Sequence, residues 1–121
     1  MRSDIIPVQL EAEKLCIHTL KITNNLNNFP KKYRFTLVDR ILSLTFDIHD
    51  GIAKANAARD GERIRHQEAV ITSCTTLKFY IRLTHEVLKP ECSILYWDGM
   101  VDSIESQMRK WLASTGKRVA R

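Results

Sequence analysis

The sequence predicts an all-α fold, an antiparallel up-down-up-down four-helix bundle, from three observations. Apolar residues recur at steps of three and four through four long segments. Polar or proline-bearing breaks separate those segments, and only 4 Gly and 3 Pro punctuate the 121 residues. The connections are short, which favours antiparallel neighbours. One domain fits this length, with helices expected over about 5–26, 32–58, 62–88 and 91–114.

The first segment carries a seam of Val8, Ala12, Leu15, Thr19, Ile22 and Leu26. It runs into Asn24-Asn25-Leu26-Asn27-Asn28-Phe29-Pro30, a polar turn cluster closed by proline. The second places Leu37, Ile41, Leu44, Ile48, Ile52 and Ala55 on one face and stops at the turn Arg59-Asp60-Gly61-Glu62. The third offers Val70, Cys74, Leu77, Ile81, Thr84 and Leu88 before Lys89-Pro90-Glu91. The last repeats Ile94, Trp97, Val101, Ile104, Met108 and Trp111.

Three segments hold more apolar surface than one seam uses. The surplus is Ile6, Leu10, Ile17 and Leu20 in the first, Phe35, Val38, Leu42 and Phe46 in the second, and Phe79, Tyr80, Leu83 and Val87 in the third. Part of it widens the core, since bundle helices turn about three positions in seven inward. The rest predicts an exposed apolar face, and hence self-association.

At 44% hydrophobic and 27% charged the composition is that of a globular protein. No apolar run reaches the roughly 18–20 residues that span a bilayer, so no membrane partner is expected. Met1-Arg2-Ser3-Asp4 lacks the layout of a signal peptide, and a cytoplasmic location follows as the expectation. Cys16, Cys74 and Cys92 are odd in number and lack C-x-x-C spacing, which reads as reduced packing residues.

Catalytic spacings are missing from the sequence. There is no glycine-rich phosphate loop, G-x-S-x-G elbow or H-E-x-x-H helix. His18, His49, His66 and His85 fall on different segments, and no Glu-x-x-His pair exists to build a di-iron bundle. His49-Asp50 and His85-Glu86 are chain neighbours, which on a helix point apart. No enzyme, metal or cofactor is expected.

The net charge of +5 is uneven. Lys31, Lys32, Arg34 and Arg40 against Asp39 give a local +3, and Arg109, Lys110, Lys117, Arg118 and Arg121 a local +5. Lys89 against Glu91, Asp98, Asp102 and Glu105 gives a local −3. In an antiparallel bundle the two basic groups belong at opposite ends. They suit phosphates, or they are solvated surface: Glu105 and Arg109 form an i,i+4 pair, and cations suit a helix C-terminus. Arg118 and Arg121 fit a fraying tail. Lys78 and Arg82 stand one turn apart among apolar residues. They could grip phosphates, or Arg82 could pair with Glu86 while Lys78 snorkels over Phe79 or Tyr80.

The runs Phe29-Pro30-Lys31-Lys32-Tyr33-Arg34-Phe35-Thr36-Leu37-Val38-Asp39-Arg40-Ile41, Ile52-Ala53-Lys54-Ala55-Asn56, Leu77 to Leu83 and Met108-Arg109-Lys110-Trp111-Leu112 resemble a family of small bacterial four-helix bundles. Its members include proteins encoded in intervening sequences of 23S ribosomal RNA genes and the accessory variability determinant of diversity-generating retroelements. The chain departs from the pattern at Val38-Asp39, where many members carry a small residue and then a polar one. The resemblance implies a homopentameric ring with a basic surface, no enzymatic activity, and RNA or DNA and a reverse transcriptase as partners. It places Arg40, Lys78 and Arg82 in the family's basic slots. A protein-interaction scaffold is the alternative expectation.

Overall fold

A computed structural model describes residues 5–120; Met1-Arg2-Ser3-Asp4 and Arg121 lie outside the described residues. The described chain is all-helical, with four α-helices and no strand: α1 (Pro7–Asn24), α2 (Asp39–Ala57), α3 (Asp60–Leu88) and α4 (Ile94–Val119). A 3₁₀ turn, Lys31–Tyr33, and a π-helical turn, Arg34–Val38, lead into α2.

Each boundary has a local cause. Pro7 opens α1, where a missing N–H costs nothing. Asn25 ends it with an extended backbone, and its Oδ1 accepts from the Asn27 N–H at 2.9 Å. Leu26 therefore leaves the seam and is exposed. The α2–α3 break is tighter than the expected four-residue turn. Only Ala58 and Arg59 are non-helical, and Asp60 takes a φ of 54° as α3 begins. Lys89 ends α3 in the left-handed region, φ 45° and ψ 60°, just before Pro90. Ser93 caps α4, its Oγ accepting from the Tyr96 N–H at 3.1 Å. The fourth helix starts later than expected and continues to Val119, so Arg118 is helical and not part of a frayed tail.

The four seams meet as one core. Leu15, Ile41, Ile48, Ile52, Leu77, Ile81, Trp97, Ile104 and Met108 are all buried. Thr19, Thr45, Thr84 and Thr115 are buried too. The last three return their hydroxyls to the carbonyl four residues back, while Thr19 Oγ1 accepts from Trp97 Nε1 at 3.1 Å. α1 and α3 each pack against both α2 and α4. Early α1 meets the middle of α4 through Glu11 with Ser103 and Gln107, and late α1 meets early α4 through Thr19 and Trp97.

The polar turn after α1 is more than a solvated link. Asn28 is buried, donating to the Ile22 carbonyl at 3.2 Å and accepting from the Glu91 N–H at 3.0 Å. Phe29 lies beneath it, edge-on to Trp97 with ring centroids 6.4 Å apart. This end of the bundle is thereby closed, and the chain leaves it at Pro30 directly into the basic segment.

Candidate nucleic-acid interface

Proline fixes the direction in which the basic segment departs. From Pro30 the 3₁₀ and π turns carry Lys31, Lys32, Arg34, Phe35 and Thr36 on the outside, while Leu37 and Val38 pack against the core. Phe35 is 81% exposed, held out among cations. π turns are rare and concentrate where a side chain must be re-aimed.

Two grooves flank this segment. On the α1 side a groove of about 420 Å³ has an apolar floor that includes Leu20, Phe29, Val38 and Leu42, with Lys21, Lys31 and Arg34 among its lining. On the α3 side a second groove, also about 420 Å³, is lined by Tyr33, Thr36, Leu37, Arg40, Tyr80, Leu83 and Val87. Lys32 Nζ lies 5.3 Å from the Tyr33 ring centroid, and the Arg40 guanidinium 5.7 Å from that of Tyr80. Among the described residues no carboxylate forms an ion pair with Lys21, Lys31, Lys32, Arg34 or Arg40. Lys21 was not a candidate from the sequence: it belongs to no local run of cations, and only the fold of the intervening loop brings it beside Lys31 and Arg34.

The other predicted cations divide into two groups. Arg109 pairs with Glu105 at 2.9 Å, the expected i,i+4 bridge. Lys110, Lys117 and Arg118 line a shallow depression along α4, where Arg118 also meets Asp60 at 3.2 Å. Asp60 opens α3 and Tyr80 lies 20 residues on, so the two basic regions are separated by about 30 Å of helix.

Lys78 and Arg82 separate from each other in role. Lys78 Nζ lies 2.8 Å from Asp102 and 3.6 Å from Glu105, so its charge is neutralised on the α3–α4 flank instead of snorkelling over a ring. The Asp102 hydrogen bond holds its pKa above the ordinary lysine range. Arg82 is exposed and does not pair with Glu86. Two of the acids in the local −3 segment, Asp102 and Glu105, are thus the counter-charge of Lys78.

The remaining titratable groups make no reactive constellation. His49 does not point away from Asp50: its Nδ1 lies 3.1 Å from Asp50 Oδ1, because both side chains bend along the helix surface. His18 stacks edge-on against Tyr96 at 5.1 Å. Burial pushes the Cys16 thiol up to about 11 and Cys74 to about 12, far from thiolate chemistry at neutral pH. Among the described residues no three His, Cys, Asp or Glu side chains converge to hold a metal ion, and no helix is long and apolar enough to cross a membrane.

Compared with protein-family models, with curated proteins and with solved structures, the chain matches none.

Proposed function

We propose that the chain is a non-enzymatic, oligomeric nucleic-acid-binding or nucleoprotein accessory protein that contacts phosphates through the basic surface around the start of α2. One observation carries this reading: Lys21, Lys31, Lys32, Arg34 and Arg40 share one end of the bundle without a carboxylate partner among the described residues. Unpaired cations on a rigid helix end are the electrostatic footprint of phosphate binding. Lys110 and Lys117 at the far end supply a second, weaker contact region.

In this reading the helices run up-down-up-down. The pairings support it: Glu13 with His49, Arg63 with the Ala55 carbonyl, and Lys78 with Asp102 each join opposite directions of travel in consecutive helices. Exposed Ile17, Leu20 and Phe46 support self-association. A ring of five subunits, a reverse transcriptase as protein partner and a cytoplasmic setting rest on the family resemblance and on the sequence.

The test is charge reversal of Lys31, Lys32 and Arg34 to Glu, followed by fluorescence anisotropy on labelled RNA and DNA. Affinity falls at least about tenfold at moderate salt, with helix content and particle mass unchanged. Unaltered affinity removes the segment from the interface.

A protein-interaction scaffold is the second reading, favoured by the first turn of α4. Leu95 is 86% and Tyr96 60% exposed there. A partner retained in pull-down after nuclease treatment and at high salt supports it.

A further inference from the structure

The α2–α3 groove differs in chemistry from a plain apolar contact face. Two tyrosine rings, Tyr33 and Tyr80, line it together with the Arg40 guanidinium, and leucine and valine side chains supply the rest of the wall. Each ring already has a cation within cation–π range, Lys32 at 5.3 Å and Arg40 at 5.7 Å. Neither phenol hydroxyl has a hydrogen-bond partner among the described residues, so both are free to donate to or accept from a guest. No carboxylate lines the groove. Exposed Lys31, Lys32 and Arg34 flank Tyr33 in the chain.

Resting on the phosphate-binding reading, we propose that this groove is a base slot, which makes the ligand a single-stranded nucleic acid. Phosphates lie along Lys31, Lys32 and Arg34, and an unpaired base enters between Tyr33 and Tyr80 beside Arg40. Aromatic rings stack on any base face, and arginine adds a cation–π contact, so the slot tolerates sequence while demanding an unstacked base. A duplex keeps its bases inside the helix, and presenting one here requires flipping it out at a cost of a few kcal/mol. An acidic protein segment would satisfy the cations but leave the two rings and their hydroxyls without a planar guest.

The experiment compares three labelled probes carrying equal numbers of phosphates: a short oligothymidylate, an abasic strand of the same length and a hairpin duplex. Fluorescence anisotropy is read with wild type, Tyr33→Leu, Tyr80→Leu and Ser106→Ala. Oligothymidylate binds roughly tenfold or more tightly than the abasic strand. Tyr80→Leu and Tyr33→Leu remove that advantage without weakening abasic binding, and Ser106→Ala, at an exposed neutral position of α4 outside both basic regions, leaves it intact. Equal affinity for base-bearing and abasic strands overturns the base slot while the phosphate reading stands. Failure of all three probes at low salt overturns both. If either tyrosine variant instead lowers the particle mass in light scattering, the groove belongs to a second copy of the chain and the proposal falls. Tyr33 lies outside the core, so its variant keeps the test open if Tyr80→Leu misfolds.

Discussion

Gly51 lies where α2 runs closest to α3. A Cβ added there would stand 2.5 Å from Val70 Cγ2, and Val70 is a buried, β-branched side chain with little freedom to yield. Alanine would gain up to about 1 kcal/mol of helix propensity, against an overpacking cost of about 1–3 kcal/mol. Gly51→Ala therefore lowers stability by about 1 kcal/mol, checked by urea unfolding. His18 gives a pH signature. Burial, with the Lys21 charge behind it, lowers its pKa below the ordinary 6.5. The unfolded chain then binds the proton more readily, so this contribution is full above the ordinary value and is lost as pH falls toward the folded one. The melting temperature drops on acidification from about pH 7.5 to about pH 5, and His18→Gln shows a smaller drop. Residue-level chemistry was only half legible in the sequence. The charge of Lys31, Lys32 and Arg34 was visible, but the neutralisation of Lys78 by Asp102 and the approach of Lys21 depend on pairings between helices that no local pattern encodes.

At the scale of elements, caps and turns set the details. Lys89 occupies a left-handed position that glycine adopts without a Cβ penalty. Lys89→Gly raises stability by about 0.5–1 kcal/mol, read as a higher melting temperature. Ser93→Ala removes the cap on Tyr96 N–H and lowers stability by about 1 kcal/mol, measured in the same way. Helical periodicity predicted the four seams, Leu26 past the end of α1 excepted, because a core position repeats each 3.6 residues whatever the neighbours are. It could not predict the π turn at Arg34–Val38, which repeats differently and is fixed by the geometry between Pro30 and the core at Ile41. Nor could it show that Asn28 and Phe29 close the bundle end, since an Asn-rich stretch reads equally as a solvated turn.

Across the whole molecule, two basic regions about 30 Å apart leave a monomer with separate footholds for a charged strand. Repetition in an oligomer multiplies them, and contacts made by linked subunits reinforce one another. The exposed apolar residues of α1 and α2 carry the self-association: Ile17→Lys combined with Phe46→Lys yields a smaller particle in light scattering with unchanged helix content. A particle of unaltered mass assigns assembly to another face. The central claim, that the start of α2 binds phosphates, is tested most directly by the salt dependence of nucleic-acid affinity. The logarithm of affinity falls linearly with that of salt concentration, and the Lys31→Glu, Lys32→Glu, Arg34→Glu variant has a slope shallower by roughly two to three. A wild-type affinity indifferent to salt, or a slope the triple variant leaves unchanged, contradicts it.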